Sequence, residues 1–172
     1  MKELRIFGKN VEVEEIRSDK DLVEFRGGRI VVSTCERPAT SLLKEFLENL
    51  LYSQVCEIYD DLRNEGKIDL FGALDFEILE KIDGKKERIA KLKGNTILFK
   101  LSAVGCPESA LRYVIAHEIA HTFTKRHTER FWKTVGLMCP NFEESRELLA
   151  ESHQLVTGEL IAEKTLLQKT LE

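Results

Sequence analysis

The chain has 172 residues, 42% of them hydrophobic and 33% charged, which is enough to bury one core and points to a single domain over 1–172. No run approaches the roughly 18 apolar residues of a membrane span, and Met1-Lys2-Glu3-Leu4 lacks the basic-then-apolar layout of a secretory signal, so a cytoplasmic protein with no membrane partner is expected. The net charge of −4 argues against nonspecific nucleic-acid binding by the whole surface, and Cys35, Cys56, Cys106 and Cys139 form no CxxC pair that would suggest a thiolate metal site or a disulfide framework.

Residues 1–35 read as an antiparallel β hairpin or meander, with apolar runs at Val11 to Val13, Leu22 to Phe25 and Ile30 to Val32 and a Gly27-Gly28 turn between the last two. Pro38, Thr40 and Ser41 signal a helix start. Leu43, Leu47, Leu51, Val55, Ile58 and Leu62 then recur at helical spacing, predicting an amphipathic helix over 40–65. A short strand is expected near Ala73 to Leu79 and a turn at Asp83-Gly84. Ile97, Phe99 and Leu101 share one face of a strand over Thr96 to Leu101, and Pro107 with Glu108 opens a helix that runs through His121. Thr128 can cap a further helix through Phe131, Trp132 and Val135, stopped before Pro140. Residues 141–172 read as a C-terminal helix with Leu149, Val156, Leu160, Leu167 and Leu171 on one stripe, able to pack on the body or meet a partner helix. The fold class is therefore α+β.

Chemistry concentrates in His117-Glu118-Ile119-Ala120-His121, an H-E-x-x-H on a helix. Residues four apart differ by about 40° around the axis, so both imidazoles project from one face and can grip one ion. Zinc suits imidazole, and a catalytic site needs a third protein ligand and an open position. Glu118, beside the first ligand, is placed to act as general base on a metal-activated water. His127 is the first candidate for third ligand. On a straight helix it would lie about 9 Å beyond His121 and roughly 120° around the axis, so the helix must end near Phe123 to Arg126 and the chain double back. Its spacing matches that of metzincins, but Thr124 stands where those proteins turn on a glycine. Glu147 or Glu151, from the acidic stretch that includes Glu143 and Glu144, is the alternative ligand. Met138 and His153 have plainer readings as core and surface residues, and Phe131 and Trp132 as anchors for their helix. Arg112 and Tyr113 flank the motif and can either meet a substrate or face water.

The run from Tyr113-Val114-Ile115-Ala116 through the H-E-x-x-H to His127-Thr128-Glu129-Arg130-Phe131-Trp132 resembles the YgjP-like metallopeptidase family, and more distantly the SprT-like and WLM proteases. The resemblance is strong over Thr96 to Pro140. It implies a minimal zincin-like fold with an N-terminal antiparallel β region, a metal-binding core over 95–140 and a helical C-terminus, with a zinc ion on His117, His121 and His127 and Glu118 as catalytic base. The sequence departs from the family at Arg88 to Gly94, where a Trp-Gly-Ser-Cys-like stretch is usual.

The function expected is thus that of a zinc-dependent peptidase acting on a peptide or protein, with the strand over Thr96 to Leu101 adding an extended substrate. Two basic clusters lie near the motif, one of Lys81, Lys85, Lys86, Arg88, Lys91 and Lys93 and one of Lys125, Arg126, Arg130 and Lys133. They are most simply a solvated face. They also keep two other readings open: hydrolysis of a nucleoside triphosphate, and contact with nucleic acid. From another class comes a non-catalytic zinc-binding interaction module.

Overall fold

The computed structural model describes residues 2–68, 74–85 and 88–152. The expected start of a strand at Ala73, the cluster residue Lys86, His153 and the stripe from Val156 onward lie outside the described residues.

Four strands form the first sheet: β1 (Lys2–Ile6), β2 (Lys9–Arg17), β3 (Leu22–Arg26) and β4 (Arg29–Thr34), in the order β1-β2-β4-β3. The pairs β1 with β2 and β3 with β4 are antiparallel, each closed by a two-residue loop with positive φ at both positions: Phe7-Gly8 (47° and 82°) and Gly27-Gly28 (58° and 81°). The expected antiparallel meander is corrected in its order, because β2 and β4 run parallel. Burial gives the reason. Ile30, Val31 and Val32 are nearly inaccessible to solvent on both faces, as a central strand requires, whereas β3 exposes about half of Leu22 and Phe25 and fits an edge.

Helix α1 (Ala39–Asn64) follows, one residue from the expected start, and buries Leu42, Leu51, Val55, Ile58, Tyr59 and Leu62. The second sheet has the order β5-β7-β6, from β5 (Asp75–Leu79), β6 (Ala90–Lys93) and β7 (Thr96–Lys100). Strand β5 is parallel and β6 antiparallel to β7. The alternation read in the sequence puts Ile97 and Phe99 inside with no exposure, but the strand stops at Lys100. Leu101 opens a 3-10 turn over Leu101–Gly105 that leads into α2 (Glu108–Ala120).

One apolar core links these layers, joining Leu51, Val55 and Ile58 of α1 and Ile97 and Phe99 of β7 to Leu111, Ile115 and Ile119 of α2. Each fully buried aliphatic or aromatic side chain of this kind contributes about 1.5–3 kcal/mol. The first sheet reaches the motif-bearing helix through its own turn: Phe7 N–H donates to the Val104 carbonyl (2.7 Å) and Gly8 N–H to that of Gly105 (3.2 Å), just ahead of α2. Helix α3 (Glu129–Met138) and helical turns over 142–152 complete the described chain. Among the described residues no helix is long and apolar enough to cross a membrane.

Candidate metal centre

The imidazoles depend on how α2 ends. The helix stops at Ala120 with His121 as its cap, slightly earlier than the expected end near Phe123 to Arg126. Tight bonds close the end: Thr122 N–H to Ile119 O (2.9 Å), Phe123 and Thr124 N–H to Ala120 O (3.1 Å each), and the Thr122 hydroxyl onto Ile119 O (2.6 Å). These satisfy carbonyls that the helix leaves open. The chain then reverses without a glycine, and Thr128 starts α3 by accepting Phe131 N–H on its hydroxyl (3.4 Å), as its cap position predicts.

That reversal returns His127 to the other two rings. Centroids lie 4.8 Å apart for His117 and His121, 5.2 Å for His117 and His127, and 5.1 Å for His121 and His127. One nitrogen from each ring falls within 4.8 Å of the others. His121 Nδ1 lies 3.2 Å from the Thr124 carbonyl, an acceptor that favours a proton on Nδ1 and leaves Nε2 as a lone-pair donor. Burial and then the two neighbouring imidazoles hold the pKa of His127 below its ordinary value. Three imidazole nitrogens converging at a helix end fit a divalent metal ion. Glu147 and Glu151 are exposed and do not join the convergent group among the described residues.

Glu118 is nearly buried, at 9% exposure, and its carboxylate reaches both the sheet and the first imidazole. Its Oε2 accepts the backbone N–H of Leu92 on β6 (2.9 Å), and its Oε1 lies 3.3 Å from His117 Nδ1. The carboxylate is thereby held between the first imidazole and a sheet edge.

Other residues near the motif separate into roles. Phe131, with no exposure, packs under all three imidazoles, its centroid 5.1 Å from His117 and 4.8 Å from both His121 and His127. Trp132 stacks on Phe142 and carries the Arg146 guanidinium 5.7 Å above its ring. Arg112 is partly exposed and tied down: it donates to Glu65 (2.7 Å) and to the Met138 carbonyl (3.3 Å), clasping the ends of α1 and α3. Tyr113 is buried against His117, and Met138 is core. In the first basic cluster, Asp83 pairs with both Arg88 (3.2 Å) and Lys91 (2.6 Å), which removes two cations from a phosphate site; in the second, Lys133 pairs with Glu129.

The expected substrate strand is corrected. β7 lies between β5 and β6, so both its edges are occupied and it cannot accept another strand. Among the described residues, the strand beside Glu118 with no partner on its outer edge is β6.

Residues 89–152 match the YgjP-like, metallopeptidase domain. The YgjP-like segment begins at the start of β6 and runs through β7, α2 and α3 to the helical turns over 142–152, so it takes in the three imidazoles, Glu118 and the Leu92 amide. The matched domain is a metallopeptidase domain by description, and the histidine cluster within it could hold a metal ion. Comparison of the chain with curated proteins and with solved structures gave no match. The sequence marked His117, Glu118, His121 and His127. It gave no sign of the Thr124 carbonyl or the Leu92 amide, because backbone groups leave no residue-type signal; for Phe131 the Thr128-x-x-Phe131 spacing was the available clue.

Proposed function

We propose that this protein is a zinc-dependent peptidase in which His117, His121 and His127 hold the ion and Glu118 is the general base. The observation that carries this reading is the convergence of three imidazole nitrogens within 4.8 Å beside a nearly buried carboxylate that touches the outer strand β6, whose far edge has no partner among the described residues. An ion held there supplies Lewis acidity to a substrate carbonyl and lowers the pKa of a water.

The chain's own residues supply the rest. On β6 the backbone groups of Ala90 and Leu92 point away from β7, so an extended peptide adding to this edge would run past Glu118. Glu118 then takes the proton of the attacking water and passes it to the leaving amine. Phe131 and the Thr124 carbonyl hold the rings in place. Ion pairing of Asp83 with Arg88 and Lys91 weighs against the phosphoanhydride reading.

The test is Glu118→Gln. Hydrolysis of denatured casein is expected to fall by about 10²–10⁴-fold with zinc content unchanged. A variant that keeps both its metal and full activity overturns the assignment of the base.

A further inference from the structure

The Leu92 amide occupies a position that two acceptors would use. Lys100 N–H donates to the Ile89 carbonyl (2.7 Å), which sets the ladder phase: Ile89, Lys91 and Lys93 face β7, and Ala90 and Leu92 turn their N–H and C=O groups to the open edge. Leu92 N–H accordingly makes no ladder bond and is bonded to Glu118 Oε2 at 2.9 Å. It is also the donor that an added peptide strand would need at this edge. One N–H makes one well-directed bond at a time, so the carboxylate and a substrate carbonyl compete for it.

We propose that Leu92 N–H is a shared donor: it holds Glu118 while β6 is bare and passes to a backbone carbonyl of the substrate when a strand adds, releasing Glu118 Oε2 for proton transfer. This rests on the peptidase reading and deepens it, since it makes extended polypeptides the substrate class. In the bare protein both carboxylate oxygens are engaged, Oε2 by Leu92 and Oε1 beside His117 Nδ1. A short substrate that never reaches β6 leaves the base held, so the arrangement selects by backbone length and extension.

Two measurements test it. In the full-length protein, amide hydrogen exchange at Leu92 is expected to quicken at least tenfold in Glu118→Ala, while Lys91 and Lys93, bonded within the sheet, stay unchanged. The second uses Leu92→Pro, which deletes the donor at an edge position where proline leaves the ladder intact. With zinc-loaded protein, kcat/KM for denatured casein should fall at least tenfold, whereas turnover of p-nitrophenyl acetate, which cannot add as a strand, should rise severalfold. Leu92→Ala keeps the amide, so its ratio of casein to ester turnover should not show the opposed shift of the proline variant, and unchanged circular dichroism establishes that the proline variant is folded. Casein and ester activities moving in the same direction, or Leu92 exchange indifferent to Glu118, overturn the shared-donor proposal alone. Wild-type protein that cleaves no casein overturns the peptidase reading as well, and a misfolded proline variant overturns the premise that Leu92 N–H lies outside the ladder.

Discussion

The ring of Phe131 lies 4.8 Å, centroid to centroid, from that of His127, and the same ring touches His117 and His121. A rigid hydrocarbon under three imidazoles limits their side-chain freedom, so less ordering would remain for an ion bound by them. Phe131→Leu keeps most of the buried volume but loses the flat contact. Zinc affinity, measured against a competing chelator, should drop by about tenfold, at the low end for loss of a residue supporting metal ligands. Phe131→Ala would confound the result with a cavity costing about 3–5 kcal/mol.

A second substitution separates the candidate third ligands. His127→Ala removes one of three converging nitrogens, whereas Glu147→Ala changes a side chain exposed on the following helix. Zinc affinity should fall by more than about 100-fold in the first, exceeding the effect of a supporting residue, and stay within twofold or so in the second. The reverse order in a titration would move the third ligand onto the 142–152 helix.

How much of this was legible in the sequence follows from where each signal resides. Ile97 and Phe99 alternate, Leu51 to Leu62 recur at helical spacing and Thr128 is a cap residue, and each feature lies where its local pattern put it. Strand order is a tertiary choice. β4 takes the sheet centre because Ile30 to Val32 must be covered on both faces, and β7 takes the centre of the second sheet because β5 pairs with it from a distance in sequence. The reversal that metzincins make on a glycine is made here by Thr122 and Thr124, whose hydrogen bonds close the helix end. The match to the family over 89–152 coincides with the densest motif, and the N-terminal sheet lies outside it.

The docking of that sheet onto the start of α2 can be weighed at Gly8. Its φ is +82°, and a Cβ there would sit 3.2 Å from Pro107 Cγ, whereas at Gly27 (φ +58°) nothing lies within 4 Å. Both Gly8→Ala and Gly27→Ala incur the left-handed backbone penalty of about 1–2 kcal/mol, and only Gly8→Ala also crowds Pro107. Denaturant unfolding should show Gly8→Ala as the less stable of the two. Equal losses would mean that the turn yields without disturbing Pro107.

The junction between β4 and α1 gives a pH dependence with a definite sign. Asp21 accepts the backbone N–H groups of Cys35 (2.7 Å), Glu36 (3.2 Å) and Arg37 (3.2 Å at the nearer oxygen). The Cys35 bond first, then those of Arg37 and Glu36, outweigh partial burial and hold its carboxyl below the usual carboxylate range. A depressed folded-state pKa means that the unfolded chain binds the proton first as pH drops. The stabilisation is therefore complete above the unfolded value of about 3.9 and is lost as pH falls through the folded value. Asp21→Asn, which keeps one acceptor oxygen but no charge, should lower Tm at pH 7 and converge with wild type as the pH is brought down through the depressed folded-state pKa. A Tm difference that stays constant over that whole range would show that shape, not charge, holds the junction.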